Sequence, residues 1–541
     1  MSSNKKMEYC ELKLNRSLLD ANFDGYKVSM DNVHFKTQKL EQICEPRKPS
    51  PKMHTLPHML VFSKQNRLFC DETEAAAASR DTEHLYRILD TGHIQSMVYE
   101  KTTGVCHDSI VESVGDVAAR DELAYPPNLI FTANNLAIAS NGLTEIVVFL
   151  VVSPTNWCRM LRFEPSDRPG ISLIDARVVD GKLRILAHRV DCDAEKATRN
   201  QVFHVVVNFD DVDTAETLSV EKIDRFVVGG CLETCTFGGV RGAQIVVLAS
   251  QKPFLDGDEP TRIDYTWQKT GGTVRVVFEM GAKVEKEDVA ISLTDRKIRL
   301  CVNDRVLLDG HLFGEIDEED VELSAAPDAT TLTLTLKASD DETTTWKTLL
   351  AEHPTPRARG AGACGEEFDE AEECDEADVA YSFYWIDAET GKVVKQCDAS
   401  GRQVLFTHHS GVAPAIVCLR HDVDGVIWRL DDVAAPRHHA TLHAFGYVQA
   451  SKTARVWSGS SRPSHKYAAI AETRHRVLVY SQHVELAGSL SNRRTATSIS
   501  HVAKQHLLRL ECADAICGVH LTDQHIFVLT TQHIHVAELN F

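Results

Sequence analysis

Histidine and cysteine side chains are the first candidates for chemistry in this sequence of 541 residues, which contains 25 histidines and 15 cysteines. The best candidate among the polar clusters is H-D-V-D-G at residues 421–425. A His-Asp pair can bind a metal ion, and D-x-D-G matches part of a calcium loop. A complete calcium loop, however, supplies more oxygen ligands in series and a distal acid. Because the motif follows an apolar strand pattern and ends in Asp-Gly, we interpret it as a turn between strands.

The other histidine and cysteine pairs lack the pattern of a metal site. Neighbouring histidines, as at 408–409 and 438–439, point to opposite faces of a strand and cannot easily share one ion. Cys231 and Cys235 have a spacing compatible with zinc, but no second half of a zinc site follows nearby. The sequence therefore predicts no metal and no cofactor.

Motifs for covalent catalysis or phosphate chemistry do not stand out either. The sequence has no G-x-S-x-G and no P-loop. The run G-G-V-R-G at 238–242 lacks the Lys-Ser/Thr that phosphate binding requires, so we interpret it as a glycine turn. We therefore expect a protein that is not an enzyme and has no catalytic residues.

Charge and composition exclude several classes of partner. The 58 basic and 78 acidic residues give a net charge of −20, which argues against direct binding of nucleic acid or of anionic membranes. The longest apolar run, at 146–152, is far below the about 20 residues that a membrane helix needs. The N-terminus has no apolar signal-peptide core. We expect an intracellular protein.

Short strands separated by turns fill most of the chain and must position any site. Examples are E-I-V-V-F-L-V-V (145–152), V-F-H-V-V-V (202–207) and H-I-F-V-L-T (525–530). A four-stranded propeller blade takes about 40 to 50 residues. Residues 1–258 then hold four or five blades and residues 379–541 about three. The two flanks together predict one all-β propeller of seven or eight blades, with two separate β-domains as the alternative.

The segment between the flanks has a different pattern. At 261–352 apolar residues alternate strictly, as in T-V-R-V-V-F (273–278) and T-L-T-L-T-L (331–336), which is typical of antiparallel strands with one wet face. About seven such strands predict a β-sandwich. Residues 353–378 follow as a Pro/Gly-rich linker that ends in an acidic run. We interpret the linker as an extended tether, with a docking strip for a basic partner as the alternative.

The motifs that frame the sandwich are Y-T-W-Q-K-T (265–270), K-E-D-V (286–289), L-L-D-G-H-L-F-G-E-I-D (307–317) and T-W-K-T-L-L (345–350). They resemble the CS domain of the NudC family, a compact protein-binding sandwich similar to small heat-shock and co-chaperone folds. In one member of that family the CS domain interrupts a β-propeller. One departure is Val321, near the place where such domains usually carry a second tryptophan.

The resemblance implies a NudC-like co-chaperone or adaptor that binds client proteins through the CS domain and the propeller surface. Implied partners are client proteins, such as other β-propeller or large helicase-like proteins, and a heat-shock chaperone, in the cytoplasm and nucleus. The alternative class is a propeller hydrolase with its site in the central channel. The candidate protein-binding residues are Tyr265, Trp267, Trp346, Asp317, Glu318, Glu319 and Asp320.

Three of these assignments carry structural expectations. We expect Trp267, at the entrance of the module, to pack in its core. We expect Trp346, at the end of the last strand, to serve both packing and binding. The acidic stretch 315–322 is interpreted as a solvated loop, with a docking patch for a basic client as the alternative.

Overall fold

The computed structural model gives the fold of residues 7–540 with some gaps. The chain forms two compact units, Met1–Asp256 with Asp378–Phe541, and Gly257–Ala377. The predicted linker at 353–378 lies outside the described residues. The segments not described within 7–540 are 20–25, 30–32, 74–80, 116, 118–121, 193–197, 209–217, 239–241, 257–264, 281–288, 295–296, 303–304, 326–330, 340–345, 347–348, 351–380, 432–434, 451–454, 473–475, 492–497 and 513.

The larger unit begins with three short strands that add to blades formed much later in the chain. They are β1 (Glu8–Glu11), β2 (Tyr26–Val28) and β3 (Lys36–Lys39). A 3₁₀ turn at Arg16–Leu18 lies between the first two, and helix α1 (Leu56–Ser63) follows the third.

Three complete antiparallel blades come next, each built from consecutive strands. An extra short strand, β18 (Phe254–Leu255), pairs with the last strand of blade 3. The strands are β4 (Phe69–Cys70), β5 (Thr82–Ile88), β6 (His93–Glu100) and β7 (Val105–Ser113) in blade 1; β8 (Asn128–Thr132), β9 (Leu136–Ser140), β10 (Ile146–Ser153) and β11 (Asn156–Phe163) in blade 2; and β12 (Ser172–Val179), β13 (Lys182–Cys192), β14 (Thr198–Asn208) and β15 (Ser219–Gly229) in blade 3.

Blade 4 is assembled from both sides of the inserted module. Its first strands are β16 (Leu232–Gly238) and β17 (Gln244–Ala249), and its last are β26 (Ser382–Asp387) and β27 (Val393–Asp398). Strand β17 pairs with β26 in a continuous antiparallel register from Gln244–Asp387 to Ala249–Ser382. The N-terminal β1 then adds in parallel to β27.

Blades 5 and 6 follow in the C-terminal flank. A short helix, α2 (Phe445–Ala450), packs between them, and β2 adds in parallel to the outer strand of blade 6. Their strands are β28 (Val404–His408), β29 (Ile416–His421), β30 (Asp424–Arg429) and β31 (Arg437–Leu442) in blade 5, and β32 (Arg455–Ser460), β33 (Tyr467–Glu472), β34 (Arg476–Ser491) and β35 (Ser498–Arg509) in blade 6.

Blade 7 joins the two ends of the chain. It contains β36 (Ile516–Leu521), β37 (His525–Thr530) and β38 (His533–Glu538), and its outermost strand is the N-terminal β3. Strand β3 runs antiparallel to β38, from Lys36 opposite Val536 to Lys39 opposite His533. The described part of this unit therefore holds seven blades, and the predicted propeller is confirmed.

Apolar cores between neighbouring blades explain why so many strands are apolar on both faces. In β37, Ile526 and Val528 pack toward blade 6, whereas Phe527 and Leu529 pack toward blade 1. Successive residues of a strand point to opposite faces, so a blade between two others needs apolar residues at every position. The core between blades 7 and 1 closes the ring.

The smaller unit is a β-sandwich of two antiparallel sheets. One sheet has the order β19-β20-β25-β24 and the other β21-β22-β23. Alternate residues such as Val274, Leu300 and Leu334 form its core, as the alternation predicts. The strands are β19 (Tyr265–Thr270), β20 (Thr273–Glu279), β21 (Val289–Thr294), β22 (Lys297–Val302), β23 (Arg305–His311), β24 (Ile316–Ala325) and β25 (Thr331–Ala338).

The shared blade 4 yields a prediction about fragments. Residues 1–258 should not form a stable soluble unit, because β17 loses its neighbour β26 and the faces of blades 1 and 4 that pack on the missing blades become exposed. Deleting 261–352 and joining the ends should leave the ring folded. Circular dichroism and size-exclusion chromatography of these two shortened proteins test this. A monomeric, cooperatively unfolding 1–258 fragment would contradict a single ring.

Candidate functional site

An aromatic cluster of Trp267, Phe313 and Trp346 lies at one edge of the sandwich. The ring centroids of Trp267 and Trp346 are 6.5 Å apart, and those of Phe313 and Trp346 are 6.3 Å apart. The Lys269 ammonium lies 5.8 Å from the centre of the Trp346 ring, within cation–π distance. Strand alternation places Trp267 and Lys269 on the same face of β19.

The two tryptophans differ in burial, and the order is the reverse of what we expected. Trp346 is only 5% exposed and belongs to the core, although it lies beyond the last strand rather than within it. The backbone N–H of Phe313 donates to the carbonyl of Leu349, which ties this segment to the sandwich. Trp267 and Phe313 are half-buried against the core. They are therefore the members of the cluster that a partner can reach.

Tyr265 precedes this cluster on the same face of β19. Its ring is half-buried and lies 5.7 Å from that of Phe278, a fully buried core residue. Tyr265 therefore extends the half-exposed aromatic surface along the strand.

The acidic stretch is an edge strand with a bulge, so its interpretation as a loop is wrong. In the pairing of β24 with β25, Asp317 lies opposite Lys337 and Val321 lies opposite Leu336. The three residues of β24 at 318–320 therefore have no partner on β25. A bulge bends an edge strand and turns its side chains outward, so acids are tolerated there. Asp320 is exposed and lies 3.2 Å from the ammonium of Lys337. The side chains of Glu318 and Glu319 lie outside the described residues.

Val321 lies where the family resemblance leads us to expect a tryptophan. It is half-buried and packs against the sandwich core. The Val321 side chain therefore contributes to packing of the sandwich and offers no large aromatic ring to a partner.

The polar motifs of the flanks have structural roles. Asp422 adopts a positive φ of 52° in the turn between β29 and β30, where His421 pairs with Asp424. Cys231 packs in the core between blades 4 and 5, whereas Cys235 packs in the core between blades 3 and 4. The two thiols therefore face different cores.

The adjacent histidines at 438–439 also separate. His438 accepts from the backbone N–H of Asn15 through Nδ1, and its Nε2 lies 2.9 Å from the Thr441 hydroxyl. His439 instead faces the ring of His465, with centroids 5.4 Å apart. Of the glycine run 238–242, residues 239–241 lie outside the described part of the chain.

A cavity of about 570 Å³ occupies the centre of the propeller. The innermost strands β4, β8, β12, β16, β28, β32 and β36 line it, together with residues from the end of α1. Its walls are both apolar and polar, and they include Phe131, Trp457 and His188. Burial lowers the pKa of His188 to about 3, with a further contribution from the charge of Lys64, so its imidazole is neutral.

The charged groups of this channel neutralise one another. One Glu72 oxygen lies 3.4 Å from Nε2 of His408, and the other lies 3.7 Å from the Arg462 guanidinium. Burial alone raises the pKa of Glu72, but the charges of His408, Arg462 and His520 outweigh it and hold that pKa well below its usual value. The adjacent His409 points elsewhere, with Nε2 2.7 Å from the Thr234 hydroxyl.

Neither helix in the described part of the chain is long and apolar enough to cross a membrane. The described residues form a β-propeller whose chain is interrupted by a β-sandwich. The CS domain model matches residues 263–337, so the inserted module is a CS domain.

Curated relatives resemble the whole chain rather than the module alone. NudC domain-containing protein 1 of Mus musculus is 26% identical over 606 aligned positions, covering 98% of this chain and 99% of the relative. The Xenopus tropicalis protein of the same name is 24% identical with the same coverage. The predicted resemblance to the NudC family is confirmed.

This chain also aligns with a solved structure. Sqt1 of Chaetomium thermophilum, bound to the N-terminus of ribosomal protein L10, is 10% identical and has a TM-score of 0.33. The comparison covers 88% of this chain and 97% of that one.

The burial of the two tryptophans predicts different effects of substitution. Trp346→Ala should reduce the free energy of unfolding of the CS domain by about 3–5 kcal/mol, because a buried ring leaves a cavity. Trp267→Ala should cost less stability and weaken partner binding by at least about 2 kcal/mol, as interface anchors do. Denaturant unfolding and binding titrations of the full chain measure both. Thr266→Ala, at an exposed position of β19, is the control. Equal loss of stability in both tryptophan variants would contradict this assignment.

The ion pairs of Glu72 predict a pH-dependent contribution to stability. Glu72→Gln should destabilise the propeller by about 1–3 kcal/mol at neutral pH, because it leaves the Arg462 guanidinium without its carboxylate partner. The folded pKa of Glu72 is lowered, so its contribution is present above the unfolded value of about 4.3 and is lost as the pH falls further. The stability difference between wild type and variant should therefore shrink in acid. Thermal unfolding between about pH 7 and 3 tests this, with exposed Glu41→Gln as the control. A difference that stays constant over this range would show that the carboxylate charge plays no part.

Proposed function

We propose that this chain is a non-enzymatic, NudC-like co-chaperone or adaptor. Its CS domain holds client polypeptides, and its propeller offers a second binding surface. The clients are proteins, with other β-propeller or large helicase-like proteins and a heat-shock chaperone as the expected partners. The proposed site of action is the cytoplasm and nucleus, without direct contact to nucleic acid or membranes.

The half-exposed aromatic face of β19 is the observation that carries this proposal. Tyr265 and Trp267 lie along one strand, and Phe313 lies beside Trp346 at the same edge. Aromatic residues that are packed on one side and open on the other are typical anchors of protein interfaces. The buried Trp346 packs beneath this surface and contacts the rings of Trp267 and Phe313.

The acidic charge of this chain favours a client with a basic surface. Asp320 and Glu315 are exposed on or next to the edge strand β24, and the whole chain carries a net charge of −20. Opposite charges on two partners raise the association rate and are screened by salt. An unpaired edge strand also suits an extended polypeptide, which can add to the sheet through its backbone.

The propeller supports an adaptor role through its exposed apolar residues. Tyr9 on β1 is 64% exposed and Tyr447 on α2 is 60% exposed. They lie on added elements at the rim of blade 4 and beside blade 5, outside the channel. A second contact of this kind would increase the avidity for a large client.

The hydrolase alternative would place its site in the channel. There the Glu72 carboxylate, which faces His408, is already ion-paired with Arg462. Such mutual neutralisation suits a structural cluster. A screen of the purified protein with ester, phosphoester and glycoside substrates separates the two classes, because turnover that disappears in His408→Gln would favour the hydrolase.

Client capture by matched variants tests the proposal. Full-length protein should suppress aggregation of a basic, thermally unfolded client and should retain it in pull-down. Deletion of 261–352 should abolish both effects. Trp267→Ala should reduce both by roughly tenfold or more, since at least about 2 kcal/mol of affinity is lost. Raising the salt concentration should weaken capture.

Val152→Ala is the matched control for loss of an exposed apolar side chain outside the CS domain, because Val152 on β10 is 58% exposed. It should leave capture by the CS domain close to wild type. Equal aggregation suppression by wild type and by the protein lacking 261–352 would rule out the CS domain as the client-binding element.

A further inference from the structure

Blade 7 brings one cysteine and two histidines together beside the seam that closes the ring. The candidate ligand atoms of Cys512, His533 and His535 all lie within 4.8 Å of one another. The Cys512 sulfur is 3.4 Å from Nε2 of His535. His535 is buried, and the other two residues are half-buried.

The fold explains how residues so far apart in sequence meet. His533 and His535 are two positions apart on β38, so their side chains share one face of the strand. Cys512 lies in the connection between β35 and β36, which passes this face at the start of blade 7. The spacing C-x20-H-x-H does not match the common zinc motifs, which explains why the sequence did not indicate a site.

Both histidines use Nδ1 for an outer partner, which leaves Nε2 as the ligand atom. Nδ1 of His533 lies 2.8 Å from a carboxylate oxygen of Asp514. Nδ1 of His535 lies 2.9 Å from the hydroxyl of Thr37, its partner on β3. Histidines that bind zinc typically have such a carboxylate or oxygen partner on the other nitrogen, because it fixes the ring orientation.

We propose that Cys512, His533 and His535 form a zinc-binding site. Thiolate and imidazole are the ligands that Zn²⁺ prefers, and tetrahedral bonds of 2.3 Å to sulfur and about 2.0–2.1 Å to nitrogen separate the two atoms by about 3.5 Å. The observed 3.4 Å between Cys512 and His535 fits this geometry. Water completes the fourth position. Binding converts the Cys512 thiol to a thiolate and releases its proton to solvent.

The site would act as a clamp on ring closure. Its ligands come from β38 and from the connection that enters blade 7. Thr37 links it to β3, the strand supplied by the N-terminal end of the chain. A metal ion that binds only the folded arrangement stabilises it by mass action. This role is independent of the proposed co-chaperone function.

Without metal the same groups can be joined by hydrogen bonds alone. The Thr530 hydroxyl lies 3.3 Å from Nε2 of His535, the nitrogen that also faces Cys512. A purely hydrogen-bonded cluster would give no stoichiometric metal binding, so the two arrangements are distinguishable by experiment.

Metal titration of the full-length protein tests the site. After chelator treatment, wild type should bind one equivalent of Zn²⁺ in calorimetry and show a rise in melting temperature. Co²⁺ should give the near-ultraviolet absorption of a thiolate–cobalt bond. Cys512→Ser and His533→Gln should each lose the equivalent and the temperature shift. Asp514→Asn should keep the stoichiometry and weaken affinity about 10- to 100-fold.

Cys158→Ser and His107→Gln, both at exposed positions of other blades, are the matched controls and should bind like wild type. Retention of one tight equivalent in both Cys512→Ser and His533→Gln would overturn the proposal. So would a cobalt spectrum without the thiolate band, or wild-type protein that binds no Zn²⁺. Cys512→Ser is nearly isosteric, and the melting curve without metal shows whether it is folded.

Discussion

Burial of both faces of every blade is the constraint on which the propeller depends. Each sheet packs one face on the preceding blade and the other on the following one, as Ile526 and Phe527 show in β37. An open row of such sheets would leave two wide apolar faces in water. The ring must therefore close, and the pairing of β3 with β38 achieves this by joining the N-terminal strand to the last blade. The packing of Leu85 and Met97 of blade 1 against Phe527 and Leu529 completes the closure.

The same constraint explains how a second domain can be inserted. The chain leaves blade 4 after Ala249 and returns at Ser382, and these two residues are directly paired in the sheet. An insertion between paired strand ends leaves the ladder intact, since only a hairpin connection is replaced. The CS domain buries its own apolar side chains and is a separate compact unit. It therefore needs no support from the ring to form its core.

Candidate functional groups lie in three places of the described structure. In the channel, the Glu72 carboxylate lies beside His408 and Arg462. At the closing seam, the thiol of Cys512 faces two imidazoles whose outer nitrogens are already engaged. On the CS domain, Trp267 and Phe313 remain partly open beside the buried Trp346. These three places contribute respectively to the stability of the ring, the proposed metal binding and the proposed recognition of partners.

The sequence by itself determined the architecture and the family resemblance. Strict alternation at 331–336 marks strands with one wet face, and continuous apolar runs such as 525–530 mark strands buried on both sides. Both patterns are local, because strand periodicity relates side-chain direction to neighbouring positions only. The framing motifs of the sandwich are local as well, so they could be recognised without a structure.

Only the tertiary structure decided what depends on contacts between distant residues. The burial order of Trp267 and Trp346 is set by the segment that folds back along Phe313, and the bulge in β24 is set by its pairing with β25. The split of blade 4 and the addition of β1, β2 and β3 to later blades join residues hundreds of positions apart. The meeting of Cys512 with His535 follows from the folding of blade 7, which brings β38 beside the connection that enters the blade. No sequence spacing encodes such proximity, because it arises from the packing of blades rather than from the period of a strand.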